Sequence, residues 1–211
     1  LYKDKTFHLT TPVLGEYMAD NATGCFAMAR ECGLSPEVII GAIQTFTGVR
    51  RRLEKRFENG VTVFDDIAHS PTKAQAVLNS LAAIYKKNQA QHRARVIAVF
   101  EPNTGNRETA ALHQYAHAFA AADEVLVPHL TKVKTAPGVP LPVEAEKLAA
   151  TIGETHPSVR AIENDQSLIA HIQKKIQPGD VVVFLGSHGF RGMIEALINT
   201  FIGITGSCIA I

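Results

Sequence analysis

The sequence predicts an α/β fold, a mostly parallel sheet with helices on both faces. Three observations predict it. Short apolar runs recur from Val61 onward, a stretch of helical periodicity follows most of them, and turn residues separate the two. Parallel strands need crossover connections and are buried on both faces, which explains why the runs are continuously apolar.

Five strands are predicted from the apolar runs. They lie near residues 61–67, 95–100, 124–127, 158–162 and 181–185. Helices are expected near 71–87, 107–121, 143–152, 165–176 and 191–199. Ser70 and Pro71 begin the first of these helices, a capping side chain followed by a residue whose fixed φ suits the first turn. Asp165 is expected to cap the fourth.

Residues 1–47 are predicted to be a separate piece, and residues 48–211 the main domain. Short strands are expected over 1–18, followed by one helix from Ala19 to Gly33 and another from Ser35 to Phe46. Such a compact helical pair could be the end of another domain. Since the chain has no initiator Met, we expect it to be part of a longer protein.

Composition excludes several classes of function. The chain has 21 basic and 20 acidic residues, a formal charge of +1, which argues against nucleic-acid binding. No apolar run reaches the ~18–20 residues of a membrane span, and no signal-peptide pattern opens the chain. Cys25, Cys32 and Cys208 lack metal-ligand spacing, so we expect buried thiols in a reducing, cytoplasmic setting.

Polar clusters follow four of the predicted strands. In a parallel sheet the carboxyl ends of these strands share one edge, where ligands bind in open α/β folds. Both signs of charge occur there, which suggests a phosphorylated and hydroxylated ligand such as a nucleotide. The clusters are residues 65–69, 101–107, 128–132 and 186–189.

Each candidate residue has a functional and a structural interpretation. Asp66 could accept two hydrogen bonds from a ribose diol or form a turn, while its neighbour Asp65 is expected to point away. One arginine of the run 50–52 could face a phosphate, or the run could be solvated surface. His69 could donate to a phosphate, shuttle a proton or cap the loop.

The glycine-rich segment 186–192 joins a strand to a helix. It could hold a carboxylate or phosphate at the helix N-terminus, or be merely a tight turn. His113 and His117 have helical spacing, but Gln114 stands where a zinc protease needs Glu, so no metal site is expected. No Gly-Lys pair occurs, so a triphosphate cradle is not expected in this chain.

These residues resemble the C-terminal domain of the Mur ligases. That domain opens with G-V-x-x-R-x-E and D-D-[FY]-A-H-x-P-T patterns, which here read GVRRRLE at 48–54 and DDIAHSPT at 65–72. Segments 100–106, 122–125 and 187–192 are most similar to the murein peptide ligase branch. Residues 15–22 resemble the end of the central ATP-binding domain.

The resemblance implies a Rossmann-like domain of an ATP-dependent ligase that works through an acyl phosphate. Its substrates would be UDP-N-acetylmuramate and the peptide L-Ala-γ-D-Glu-meso-diaminopimelate, in cell-wall precursor synthesis and recycling. The phosphate loop and most Mg²⁺ ligands would belong to the central domain, and this chain alone would be inactive. Two alternatives stay open: a Mur ligase that adds a single amino acid, and a non-catalytic nucleotide- or partner-binding module.

The resemblance also implies roles for individual residues. His69 would be catalytic, and the ATP contacts would be Arg52, Asp66 and Tyr17. The substrate contacts would be Ser70, Asn103, Thr104, Asn106, Ser187, His188, Gly189 and Arg191. The sequence departs from the family pattern in four places: Tyr17-Met18 replaces His-Asn, Ser70 replaces a second His, an Arg-Ser-Asn-Thr stretch is altered at Asn103 with extra residues, and Arg191 is added to the final loop.

Overall fold

A computed structural model describes residues 3, 5–86, 93–131 and 141–206. The chain divides into two compact units, Leu1–Leu53 and Glu54–Ile211, each described by itself below. The border lies six residues after the predicted one at residue 47. The assignment of residues 1–47 to a central ATP-binding domain stays a prediction.

Two helices form the amino-terminal unit, α1 (Glu16–Glu31) and α2 (Pro36–Gln44). The hydroxyl oxygen of Ser35 accepts a hydrogen bond from the backbone N–H of Val38 at 3.4 Å, which caps α2 as expected. The strands predicted over 1–18 do not form in the described part of that segment, where residue 5 makes only an isolated bridge. A strand needs a neighbouring strand for its backbone groups, and the described residues of this unit offer none.

A six-stranded sheet forms the second unit, in the order β1-β2-β6-β3-β4-β5. β1 pairs antiparallel with β2, and every other pairing is parallel. The predicted fold class is therefore confirmed. The strands are β1 (Glu54–Asn59), β2 (Val61–Asp66), β3 (Val96–Glu101), β4 (Glu124–Val127), β5 (Val159–Ala161) and β6 (Val181–Gly186).

Strand β1 was not predicted. Its sequence EKRFEN has a single apolar residue, Phe57, whose ring lies 5.8 Å from that of Phe201. A tight turn at Gly60, with φ of 70°, joins it to β2. As an edge strand with only half-buried and exposed positions, β1 lacks the apolar pattern by which strands are recognised.

Helices cover both faces because successive strand residues point to opposite sides. On one face, α5 (Asp165–Lys175) and α6 (Met193–Gly206) pack over Val63, Val182 and Phe184. On the other face, α3 (Pro71–Tyr85) places Tyr85 5.9 Å from Phe64, and the ring of Phe119 lies 4.9 Å from Phe100. Helix α4 (Ala145–Gly153) packs beside β4 and β5.

The helix predicted near 107–121 is wrong. Two 3-10 helices form instead, Thr104–Arg107 and Thr109–Tyr115, and turns follow to residue 121. His117 has a left-handed φ of 58°, which a helix interior does not allow. The buried hydroxyl of Tyr115 donates to the carbonyl oxygen of Asn106 at 2.7 Å, so packing rather than helical periodicity shapes this segment.

Smaller corrections concern caps and cysteines. Asn164, not Asp165, caps α5, since its side-chain oxygen accepts from the N–H of Ser167 at 2.8 Å. Cys25 and Cys32 are exposed rather than buried, and Cys208 lies outside the described residues.

Within the part of the chain that is described, no helix has the length and apolarity needed to cross a membrane.

Candidate functional site

The carboxyl ends of the parallel strands share one rim of the sheet. Asp66 at the end of β2 is level with Leu185 of β6, and Gly186 is level with Glu101 at the end of β3. This confirms that the loops after Phe64 and after Leu185 open onto a common edge. The chain leaves β2 towards α3 on one face and β6 towards α6 on the other. In open α/β sheets, ligands bind where the connections of neighbouring strands diverge in this way.

Asp66 is buried at this rim and bound to its own loop. It is 3% exposed, and one carboxylate oxygen accepts the backbone N–H of Ala68 at 2.7 Å. Its neighbour Asp65 lies 3.5 Å from the guanidinium of Arg56, which also bonds Glu195 of α6 at 2.8 Å. The two carboxylates therefore have different surroundings, as strand alternation predicts.

His69 is half-buried, and its ring orientation is fixed by one hydrogen bond. Its Nδ1 lies 2.7 Å from the carbonyl oxygen of Ile67. A carbonyl oxygen only accepts, so Nδ1 carries the proton and Nε2 of the neutral ring is the acceptor. The bond caps the loop, yet it also fixes the direction of the second nitrogen, so a capping role is compatible with acceptance of a proton at Nε2.

Helix α3 begins at this rim without the expected side-chain cap. Ser70 is the extended N-cap residue and its carbonyl accepts from Ala74 at 2.9 Å, but its hydroxyl makes no capping bond. The first turn has no acidic residue and contains the exposed Lys73. A helix N-terminus of this kind favours an anion. Lys73 is not among the residues that the sequence predicts for the site.

The loop after β3 is held together by its own side chains. The side-chain oxygen of Asn103 accepts from the backbone N–H of Asn106 at 3.2 Å and from the side-chain amide of Asn106. Thr104 between them is exposed. Asn103 and Asn106 therefore shape a 3-10 turn at the rim, and their contact with a substrate stays a prediction.

Arg107, like Lys73, is not among the residues that the sequence predicts for the site. It is 3% exposed, and its guanidinium donates to the carbonyl oxygens of Val143 and Thr131, each at 2.9 Å. It therefore ties the loop after β3 to two later segments of the chain. Its place in the polar cluster at 101–107 was noted, but no local pattern indicates that a charged side chain will be buried.

Close packing fixes the start of the segment 186–192. A Cβ on Gly186 would lie 2.8 Å from the ring of Phe190 and 2.9 Å from the carbonyl oxygen of Glu101, so close packing alone requires glycine there. Ser187 is half-buried, whereas His188 and Gly189 are exposed. These three residues are at the rim, where a substrate could reach them. Their contacts with a substrate stay a prediction.

The guanidinium of Arg191 bonds groups of the protein itself. It donates to Asp165 at 3.0 Å, to Glu101 at 3.0 Å and to the carbonyl oxygen of His129 at 3.1 Å. The hydrogen bond to Asp165 and the charge of Glu101 raise the pKa of Arg191, so it stays charged. Direct binding of substrate by Arg191 stays a prediction.

Tyr17 and Arg52 belong to the amino-terminal unit. Tyr17 lies in the first turn of α1 with its ring over Gly15, where an added Cβ would come within 2.8 Å of the ring. Arg52 is exposed and lies in a turn that its own N–H closes by donating to Val49 at 3.1 Å. Their predicted ATP contacts stay predictions.

Metal ligands do not converge within the described residues, where no group of three His, Cys, Asp or Glu side chains could hold an ion. His113 instead places its Nδ1 2.8 Å from the carbonyl oxygen of Ala110. The expectation that Mg²⁺ ligands lie mainly outside this chain stays a prediction.

Comparison with known proteins identifies the family. The family model described as "Mur ligase, glutamate ligase domain" matches residues 51–188, which include β1 to β6 and the candidate rim residues from Asp66 to His188, but not Gly189 or Arg191. A UDP-N-acetylmuramate–L-alanine ligase from Crocosphaera subtropica is 34% identical over 195 residues, 92% of this chain and 36% of the relative.

Two solved structures share the fold. A UDP-N-acetylmuramate–alanine ligase from Thermotoga maritima gives a TM-score of 0.75 at 18% identity, over 96% of this chain and 41% of that one. A murein peptide ligase from Psychrobacter arcticus gives 0.64 at 24% identity, over 99% and 41%. These comparisons do not confirm the murein peptide branch. The chain spans about two-fifths of these relatives, and it belongs to the Mur ligase family, with the family's C-terminal domain forming its sheet.

Proposed function

We propose that this chain is the C-terminal part of an ATP-dependent ligase that joins L-alanine to the carboxylate of UDP-N-acetylmuramate in cell-wall precursor synthesis. The observation that carries the proposal is the shared rim in a Mur ligase domain. Asp66, His69 and the start of α3 lie there beside the loops after β6 and β3. One edge thus offers groups for a nucleotide, for a phosphate and for an amine acceptor.

Asp66 would hold the ribose of ATP. An ionised carboxylate only accepts hydrogen bonds, and the two ribose hydroxyls can donate two. The bond from Ala68 at 2.7 Å fixes the direction of the carboxylate before the nucleotide arrives. Arg52 would add charge-assisted contacts to the nucleotide, and the ring of Tyr17 would lie against adenine.

The start of α3 would hold the activated end of the muramate substrate. ATP would transfer its terminal phosphoryl group to the carboxylate and leave as ADP, and the amine would then displace inorganic phosphate from the acyl phosphate. A divalent ion such as Mg²⁺ would neutralise phosphate charge. The uncapped N-terminus of α3, Ser70 and Lys73 favour this anion. Nε2 of His69, aimed by the bond to Ile67, could take a proton from the attacking amine.

The loops after β3 and β6 would form the acceptor pocket. Asn103, Thr104 and Asn106 belong to one of these loops, and Ser187, His188 and Gly189 belong to the other. These groups would orient the amine towards the acyl phosphate, and most of the rate enhancement would come from positioning and charge neutralisation.

A single amino acid is the acceptor that we propose, rather than the recycled peptide. The support is the name carried by relatives at 32–34% identity, UDP-N-acetylmuramate–L-alanine ligase, in organisms that include Mycolicibacterium vanbaalenii. The alternative of a Mur ligase that adds one amino acid is therefore favoured over the peptide ligase. The cytoplasm, as the source of ATP and UDP-linked precursor, would be the site of the reaction.

Phosphate release with different acceptors tests the proposal. The protein should be expressed with any sequence that precedes Leu1 in its gene and assayed with ATP, Mg²⁺, UDP-N-acetylmuramate and either L-alanine or L-Ala-γ-D-Glu-meso-diaminopimelate. We expect kcat/KM at least about 10-fold higher with L-alanine, a difference of about 1.4 kcal/mol in transition-state free energy. A preference for the peptide would contradict the proposal, and so would turnover by residues 1–211 alone.

A matched pair of variants tests the nucleotide role in the same assay. Asp66→Asn keeps an oxygen that can accept from Ala68 but removes the charge, so we expect the KM for ATP to rise about 10-fold. Asp65→Asn removes the same charge beside Arg56 and should leave this KM within about twofold. Equal effects of the two substitutions on this KM would argue against a ribose contact of Asp66. Turnover and KM unchanged by Asp66→Asn would favour a non-catalytic role of this module.

A further inference from the structure

Three consecutive residues in the loop after β6 have left-handed backbone conformations. The φ angles of Phe190, Arg191 and Gly192 are 53°, 51° and 83°. Glycine tolerates this region, but a residue with a Cβ does not adopt it unless other contacts hold it there. Phe190 is held by its ring, which is fully buried and lies 5.1 Å from that of Phe184. Arg191 has no such burial, since its side chain is 35% exposed.

Hydrogen bonds hold Arg191 instead. All three guanidinium nitrogens donate: Nε to Asp165 at 3.0 Å, Nη1 to both carboxylate oxygens of Glu101, and Nη2 to Asp165 and to the carbonyl oxygen of His129. The side chain of Glu101 is only 4% exposed. A planar guanidinium that bonds two carboxylates in fixed directions restrains geometry more than a point charge would.

The three partners of Arg191 come from different segments at the rim. Glu101 is the last residue of β3 and immediately precedes the loop that contains Asn103 and Asn106. His129 follows β4, and Asp165 is the first residue of α5. Arg191 therefore joins the loop after β6 to the segments after β3 and β4, although 90 and 62 residues separate it from Glu101 and His129.

Charge at the rim also depends on Arg191. Without its guanidinium, Glu101 and Asp165 would leave two carboxylates close to the loop after β6. Two uncompensated carboxylates would repel each other and any carboxylate that approaches the loop. With Arg191 in place, one positive charge lies against both groups at 3.0 Å.

We propose that Arg191 is a positioning residue for the acceptor, and that it is not itself a ligand of the substrate. It holds the Ser187–His188–Gly189 turn at a fixed place relative to the loop 102–107 and compensates the two carboxylates, so that the pocket accepts a small amino acid with its carboxylate. This role rests on the proposed ligase function and specifies which residue sets the acceptor site of that function.

Three substitutions at this position separate geometry from charge. Arg191→Met removes both, Arg191→Lys keeps the charge without the planar fork, and Arg191→Gly removes the side chain while it suits the left-handed backbone. The glycine variant keeps the test valid if the methionine variant fails to fold. Arg160→Met is the matched control, because Arg160 on β5 is 61% exposed and lies 3.8 Å from Glu124.

Two readouts are needed, both on protein expressed with any sequence that precedes Leu1 in its gene. In Arg191→Met and Arg191→Gly we expect amide hydrogen exchange to become at least 10-fold faster in 187–190 and 103–106. We also expect the KM for L-alanine to rise at least 10-fold, while the KM for ATP stays within twofold. Arg191→Lys should recover part of the L-alanine affinity, and Arg160→Met should change neither quantity.

The outcomes distinguish this inference from the proposed function. An unchanged KM for L-alanine in an active Arg191→Met or Arg191→Gly enzyme, even with a lower melting temperature, would overturn the inference and reduce Arg191 to a structural role. An equal rise in the KM for ATP would overturn it as well. Absence of ligation by the wild-type protein would overturn the proposed function, and faster exchange in 187–190 and 103–106 would then still support the loop-holding role.

Discussion

The two units of this chain differ in how completely they bury their large apolar side chains. In the second unit, residues such as Phe64, Phe100 and Phe184 are completely buried between sheet and helices. In the amino-terminal unit, large apolar side chains remain exposed, with Met28 at 72% and Val38 at 60%. A sheet covered on both faces encloses a core by itself, whereas two short helices leave apolar surface uncovered.

The first unit contains an apolar groove of about 490 Å³, which shows how much of its apolar surface is uncovered. Residues of α1 and α2 line it, including Ala22, Cys25, Val38 and Ile43. All the buried charged side chains among the described residues belong instead to the second unit. The stability of the second unit therefore rests on internal contacts of both kinds, apolar and ionic. Three pairs of substitutions test the importance of these internal contacts.

The largest effect is expected at Asp180, on the edge of the sheet opposite the candidate site. This residue is fully buried, bonds the guanidinium of Arg95, and accepts the backbone N–H groups of Arg95 at 3.0 Å and Gln177 at 2.8 Å. Asp180→Ala leaves these donors without their acceptor and should lower the free energy of unfolding by about 3–5 kcal/mol in urea titrations. Glu58→Ala, which breaks an exposed pair with Lys55, should cost less than about 1 kcal/mol. Similar losses in both variants would contradict the importance of buried charge.

A leucine-to-alanine pair compares the two units directly. Leu197 of α6 is fully buried, whereas Leu34 between α1 and α2 is 48% exposed. Leu197→Ala creates a cavity and should cost about 2–4 kcal/mol, while Leu34→Ala should cost less than about 1 kcal/mol. Thermal and urea unfolding measure both. If Leu34→Ala were the more damaging change, the exposed surface of the first unit would have to be covered in solution.

The smallest effect concerns acid stability and Glu124. Burial raises the pKa of Glu124, but hydrogen bonds from Lys175 and His171, each at 2.9 Å, lower it by more, so the net pKa is below the usual 4.5. A depressed carboxyl pKa stabilises the fold above pH 4.5, and this stabilisation is lost as the pH falls through the folded value. Glu124→Gln should lose about 1 kcal/mol at pH 7 and show a flatter stability profile below pH 5. The exposed Glu154→Gln is the control, and parallel profiles for wild type and Glu124→Gln would contradict the role of this carboxylate.

Local patterns predicted those parts of the fold whose causes are local. Strand β6 was found because VVVFL is continuously apolar, and α3 because its apolar residues repeat at helical spacing. Strand β1 was missed because an edge strand needs no apolar run. The segment after β3 was taken for a helix because the sequence does not show that Tyr115 and Phe119 pack against Phe100.

In the candidate site, too, local features could be predicted and contacts between distant segments could not. The loop from Asp66 to His69 was identified from the order of its residues, and its two internal hydrogen bonds are local contacts. The partners of Arg191 and the burial of Arg107 were not foreseen, because each depends on segments far away in the chain.

The sequence by itself determined that apolar strands alternate with amphipathic helices and that polar clusters follow the strands, since both depend on residues within a few positions of one another. Only the tertiary structure decided that β6 lies between β2 and β3, and that Arg191 joins Glu101, Asp165 and His129. The physical reason is that strand order and buried ion pairs are set by contacts between distant segments, whose energies exist only once the chain has folded.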